Sequence, residues 1–295
     1  MQRLVVMLLA VLVTSCTSLA PWRICAEPPA ATRGLPAKLS ETGMEGAIAY
    51  TPRFELWTDG ATKRRWIKLP PGTRIDDRAM DDWRFPTGTK LWKEIARDGV
   101  RIETRYLEKV EPGWLAVAYV WNGADADLTP GGLPNAHGTD HDVPAARTCN
   151  GCHAGRVLGV SAIQLAGDPV LAQLVERPVP RVAIPGTPAE QAALGYLHAN
   201  CSHCHQRAKT PGPRCYDPES SFDVALRTTE LVRVEDTATY RTALGRFVVP
   251  GKPDDSAIFL RAAGGSLTEP RMPALGTKTP SPANVALLRR WIVAM

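Results

Sequence analysis

The chain has 295 residues, 44% of them hydrophobic and 22% charged, with a formal net charge of +5. That length allows two modest domains, each with its own core. Basic residues are interspersed with acidic ones, as in Lys63-Arg64-Arg65 near Asp59 and between Arg74 and Arg84, so the mild positive balance describes a solvated surface and argues against a nucleic-acid partner.

Residues Met1 to Val13 hold a single Arg3 and an otherwise nearly unbroken apolar run, too short to span a bilayer comfortably and typical of an export signal. The run closes on Val13-Thr14-Ser15-Cys16, which resembles a lipoprotein cleavage box. Residues 1–15 are therefore expected to be removed and Cys16 to become a lipid anchor. The alternative is ordinary cleavage after Ala20 or Ala26, leaving a soluble periplasmic protein. Residues 16–39, rich in Pro and Ala, read as a tether. Either route places the chain in the periplasm or at the outer surface.

Residues 40–165 read as a β-rich domain. Thr89 to Ile95 and Val100 to Tyr106 alternate apolar and charged residues across Asp98-Gly99, a hairpin signal. Trp114 to Trp121 follows Pro112-Gly113 as a third strand, and Phe54 to Trp57 and Arg65 to Leu69 extend the set. The expectation is an antiparallel β-sandwich-like domain, its core filled by most of the six tryptophans between Trp57 and Trp121. A Gly/Asp/Pro-rich loop with His137 and His141 then leads to Cys149-Asn-Gly-Cys152-His153. Pro144 discourages a helix before that segment, which is expected to hang from the edge of the β domain.

Residues 166–188 read as a Pro-rich linker, and residues 189–295 as helical. Thr187-Pro188-Ala189-Glu190 forms a capping box at the start of a helix ending in Cys201-Ser-His-Cys204-His205, and Ser281-Pro282 begins a last helix that runs to Met295. Small Ala193 and Gly195 would let the two helices cross closely. This resembles the class I cytochrome c domain, in which the helix before the attachment segment crosses the last helix.

Cys-x-x-Cys-His is the attachment signature of c-type haem. Its two thiols can each add to a vinyl group of one porphyrin, and the following His is placed to ligate the iron. The expected cofactors are two covalently bound haems with their iron, one at Cys149, Cys152 and His153, the other at Cys201, Cys204 and His205. A four-thiolate zinc site is the alternative, but it leaves both histidines unexplained. Export agrees with haem attachment and with disulfides, and Cys25 and Cys215 either pair or stay free.

Axial ligands decide what such irons do. Arg271-Met272-Pro273 resembles the distal loop of the cytochrome c family, making Met272 the expected partner of His205. Pro213 is either an acceptor for the outer nitrogen of His205 or a plain turn residue. For the first haem, His141 is preferred over His137 because Asp140 and Asp142 flank it; with neither bound, the iron is open. His198 and His203 are not expected to ligate.

Phe54-Glu-Leu-Trp-Thr-Asp-Gly60, Arg65-Trp66-Ile67, Pro86 to Lys90, Gly138 to Asp142, Val157-Leu-Gly159 and Gln164-Leu165 look like the shared segments of a family of exported bacterial dihaem c-type cytochromes. The resemblance implies an α+β multidomain fold, with a β-rich N-terminal domain followed by an all-α class I-like cytochrome c domain. The expected role is electron transfer between redox donor and acceptor proteins of the cell envelope, with a membrane tether at Cys16. The alternative is a peroxidase-like dihaem oxidoreductase in which the Met-ligated haem feeds an open first haem.

Overall fold

The alternating segments assemble into one antiparallel sheet of seven strands in the order β1-β7-β6-β5-β4-β3-β2. The strands are β1 (Lys38–Leu39), β2 (Ile48–Ala49), β3 (Thr62–Lys68), β4 (Lys90–Arg97), β5 (Val100–Lys109), β6 (Trp114–Asn122) and β7 (Asp125–Leu128). This is a computed structural model, and it describes residues 32, 34–111, 113–153, 157, 159–177, 179–207 and 221–295. The export segment, Cys16, Cys25, Pro211 to Pro213 and Cys215 lie outside the described residues.

β3 to β7 form a meander, and two-residue strands close both edges, a short-edge device that limits pairing with other chains. Asp98 and Gly99 both take positive φ (51° and 79°) between β4 and β5, as a two-residue type I′ turn requires. Alternation then sorts side chains to two faces. Leu91, Leu107 and Ala116 meet Ile75, Trp83, Leu165 and Leu174 on one face. Trp92, Tyr106, Val117, Tyr119 and Trp121 meet Leu39 and Ala146 on the other.

Seven helices accompany the sheet: α1 (Ala146–His153), α2 (Ala162–Leu165), α3 (Leu171–Leu174), α4 (Pro188–Asn200), α5 (Ala238–Ala243), α6 (Ala257–Ala262) and α7 (Pro282–Val293). α4 begins with the expected capping box: Glu190 N–H donates to Thr187 Oγ1, while Thr187 N–H donates to Glu190 Oε2. Ser281 Oγ accepts from Asn284 N–H at the start of α7. Residues 166–188 carry α3, and Val170, Leu171, Leu174 and Val175 enter the core beside the sheet.

Two parts of the expected fold class are corrected. Among the described residues the β region is a single sheet covered by helices and loops on its faces, with no second packed sheet, so it is not the expected sandwich. Nor does the C-terminal half form an all-α class I-like domain of its own. Only α4 and α7 exceed eight residues, at 13 and 12, because Pro and Gly interrupt the chain repeatedly between Gly245 and Pro280. Its small core, built on Ala193, Leu197, Val224, Leu288, Trp291 and Ile292, is stitched to the N-terminal half. Asp59 accepts from Lys278 N–H and Thr279 N–H, and Asp81 accepts from Thr228 N–H.

Candidate functional site

The first Cys-x-x-Cys-His segment is helical. Pro144 does not prevent this because α1 starts just after it, and Cys149 N–H bonds back to Ala145 O. α1 packs on β6, and the Cys149 thiol is buried and in no disulfide. His153, the last residue of α1, lines a half-open cleft of about 630 Å³, counting the solvent at its mouth. Tyr50, Phe54, Leu91 and Leu107 supply apolar walls, and Ala199 of α4 closes one side.

The polar lining is Arg65, Lys93, Arg105 and Gln164. Arg65 on β3, Lys93 on β4 and Arg105 on β5 are direct cross-strand partners, forming one cationic row across three neighbouring strands. Burial, then the adjacent charges of Arg105 and Arg65, push the Lys93 ammonium down to about 7 from its ordinary 10.5. Burial also lowers the pKa of the Arg65 guanidinium. Arg105 pairs with Glu103 at 2.7 Å, whereas Arg65 and Lys93 have no ion pair among the described residues.

Glu103, fully buried, also lies 2.7 Å from Nε2 of His141, which is itself 2% exposed. Burial works against ionisation of Glu103, but Arg105 and His141 together hold its carboxyl below the usual range. The partner of His141 is therefore Glu103, thirty-eight residues away, rather than a flanking aspartate. Asp142 accepts instead from Lys278 Nζ and Asn135 N–H. His137 is exposed, with a positive φ of 54°.

The second segment follows α4 as a turn, with Cys204 N–H and His205 N–H both donating to Cys201 O. Neither Cys201 nor Cys204 is in a disulfide, and burial, with the neighbouring Cys204, pushes the Cys201 thiol up to about 12. The His205 ring stands edge-on to Phe222 at 4.9 Å, and its carbonyl accepts from Val224 N–H. His198 Nδ1 accepts from Leu226 N–H, a structural engagement. Met272 is half-buried, its N–H donating to Arg261 O, and Arg271 braces the loop through Pro273 O and Thr277.

α4 is gripped on two sides. Ala193 and Leu197 face the core that contains α7. Gly195, expected to ease that helix crossing, instead admits Phe54: a Cβ built there would fall inside the Phe54 ring. Asn200, immediately before Cys201, accepts from Trp57 N–H through Oδ1 and donates to Glu55 O through Nδ2. Gln164 Oε1 accepts from Phe54 N–H, so residues 53–57 tie α2 to the approach of the second segment. Both segments therefore meet at this strip of chain.

Among the described residues, no group of three or more His, Cys, Asp or Glu side chains gathers that could hold a metal ion by itself. The cleft presents one imidazole, from His153, apolar and aromatic walls, and two cations, Arg65 and Lys93, that form no ion pair among the described residues, groups whose chemistry would suit the iron, the ring and the acidic side chains of a haem.

The chain matches no family model, no curated protein and no solved structure. The resemblance to a dihaem cytochrome family of β-rich plus class I-like architecture is accordingly corrected. The described residues form one seven-stranded sheet with short helices and no separate all-α domain, and the shared-looking segments serve this fold. Phe54 to Gly60, for example, works as the strip that joins the two halves.

Proposed function

We propose that this chain binds two haems covalently and passes single electrons between redox donor and acceptor proteins of the bacterial cell envelope. The observation that carries the reading is that one cleft is lined both by His153 and by Ala199, two residues before Cys201. Electron tunnelling falls steeply with distance, and a shared wall keeps two attachment points close.

Cys149, Cys152 and His153 would hold one group, and Cys201, Cys204 and His205 the other, with Met272 as second axial donor to the latter. When bound, each haem supplies an iron that changes oxidation state at a potential set by its axial ligands. The chain's own part is positional. α1 presents His153 to the cleft, Phe222 orients the His205 ring, and Asn200 fixes the end of α4. Residues 1–15 as export signal and Cys16 as lipid anchor complete the proposal, which places the protein in the periplasm or at the outer surface.

A second reading, a dihaem oxidoreductase with an open first haem, is favoured by one contact. Glu103 engages Nε2 of His141, leaving only Nδ1 of that ring for an iron.

Mass spectrometry of the mature chain from a host able to attach haem is expected to find two haems and an acylated N-terminus. The Cys149→Ala/Cys152→Ala variant should carry one. A colourless product with four alkylatable thiols would refute the reading. Carbon monoxide added to the reduced protein separates the two versions: binding at half the haem selects the open-haem oxidoreductase, and resistance at both selects the carrier.

A further inference from the structure

We infer that the row Arg65, Lys93 and Arg105 is a built seat for a pair of carboxylates, and that these are the two propionates of the haem attached at Cys149 and Cys152. The inference rests on the two-haem reading and goes beyond it by naming the residues that fix and tune one haem.

Like charges directly opposite on neighbouring strands destabilise a sheet, and here three stand in register, Arg65 facing Lys93 and Lys93 facing Arg105. A sheet normally places such residues on a solvated face. This row instead points into the cleft that His153 lines, and Arg65 is only 8% exposed. Of the three, only Arg105 forms an ion pair with Glu103, which reaches Lys93 as a longer-range charge. The next row toward the cleft's apolar end, Ile67, Leu91 and Leu107, supplies no acid. Arg65 and Lys93 therefore face the cleft with no ion pair among the described residues, Glu55 and Glu103 acting on them only as longer-range charges, an arrangement complementary to two carboxylates. Arginine and lysine recognise carboxylates through charge-assisted hydrogen bonds.

The experiment uses the full mature protein carrying Arg65→Met, Lys93→Met or, as a control on the opposite face, Arg64→Met. Each haem is titrated potentiometrically and haem content is measured by absorbance. The seat predicts that either cleft variant keeps the second haem unchanged and moves the first to lower potential. The expected shift is at least a tenfold change in its reduced-to-oxidised ratio, about 59 mV for one electron. Arg64→Met should leave both haems alone, and Arg65→Lys, which keeps the charge, should restore most of the Arg65→Met shift. Loss of the first haem alone in Arg65→Met, with its return in Arg65→Lys, supports the seat equally. Two attached haems with wild-type potentials in both Met variants would overturn it.

A free dicarboxylate is the other source of the same chemistry. Succinate binding to Cys149→Ala/Cys152→Ala that is lost on adding Lys93→Met, together with an unmoved first potential in Lys93→Met, would assign the row to a soluble anion and overturn the propionate seat. Wild-type protein carrying no haem would refute the two-haem reading itself, a separate result.

Discussion

The surroundings of Cys149–His153 and Cys201–His205 differ more than their shared pattern implies. The first segment is a short helix laid on a sheet, and its histidine looks into a cleft crossed by three cations and backed by a buried Glu103–His141 pair. The second is a turn at the end of a capped 13-residue helix, beside the ring of Phe222 and the helical core. There the buried acid Asp223 is neutralised locally by Arg227 at 2.8 Å. The first site is thus specified by long-range charge placement and the second by local helix chemistry and packing. Perturbing charge should damage the first, and perturbing packing should damage the second.

The largest effect expected is that of Glu103→Leu. It removes the partner of both Arg105 and His141 inside the sheet, and breaking a buried pair by deleting one side costs about 3–5 kcal/mol. Urea midpoints should fall accordingly, and the absorption of the first haem should change while the second keeps its spectrum. Equal disturbance of both spectra would erase the distinction between the sites.

Gly195→Ala attacks the other side. The added Cβ overlaps the Phe54 ring, and overpacking of this kind costs about 1–3 kcal/mol. Adding Phe54→Leu should recover part of the loss, because a smaller side chain yields the space. If the double variant is no more stable than Gly195→Ala alone, the two halves are not coupled at this contact.

The charge row gives the chain a pH signature when the first haem is absent. In the chain without haem the folded-state value of Lys93 is about 7, against 10.5 for the unfolded lysine, and Cys149→Ala/Cys152→Ala, which removes one influence that raises it, keeps it below the ordinary value. Between those values the unfolded chain holds a proton that the folded chain lacks. Stability therefore rises with pH across that window, by up to about 1.4 kcal/mol per unit, and the penalty is fully present below pH 7. Adding Lys93→Met should remove that rise. An identical pH dependence with and without Lys93 would show that its ammonium is not desolvated.

Sequence made the local features legible and left the non-local ones hidden. The hairpin at Asp98-Gly99 and the caps at Thr187 and Ser281 depend on residues within four positions of one another, so pattern alone exposes them. The Glu103–His141 pair, the register of Arg65 with Lys93 and Arg105, and the grip of Asn200 on Trp57 join residues from 12 to 143 positions apart. The expected sandwich failed because alternation reports that one face of a strand is buried and says nothing of what buries it. Here helices and loops do so, and β6 is buried on both faces. Charged residues in strand alternation were read as solvated, yet Arg65, Lys93 and Arg105 fall on the cleft face; a parity count along β3, β4 and β5 beside Leu91 and Leu107 would have flagged them.

The smallest effect sharpens the comparison most, because it begins at the far end of α4 from Cys201. Thr187→Ala deletes the hydroxyl that accepts from Glu190 N–H, and losing such a cap costs about 1 kcal/mol. Glu190 also accepts from Tyr240 OH, whose ring lies 6.2 Å from that of Trp291, so the capped turn is tied to the core that holds the second segment. The loss should therefore appear as faster hydrogen exchange along α4 and around α7, with β3 to β6 unchanged. Were exchange to rise in the sheet by the same factor, the two regions would open together, and the sheet's charges and the helix's caps would belong to one cooperative unit.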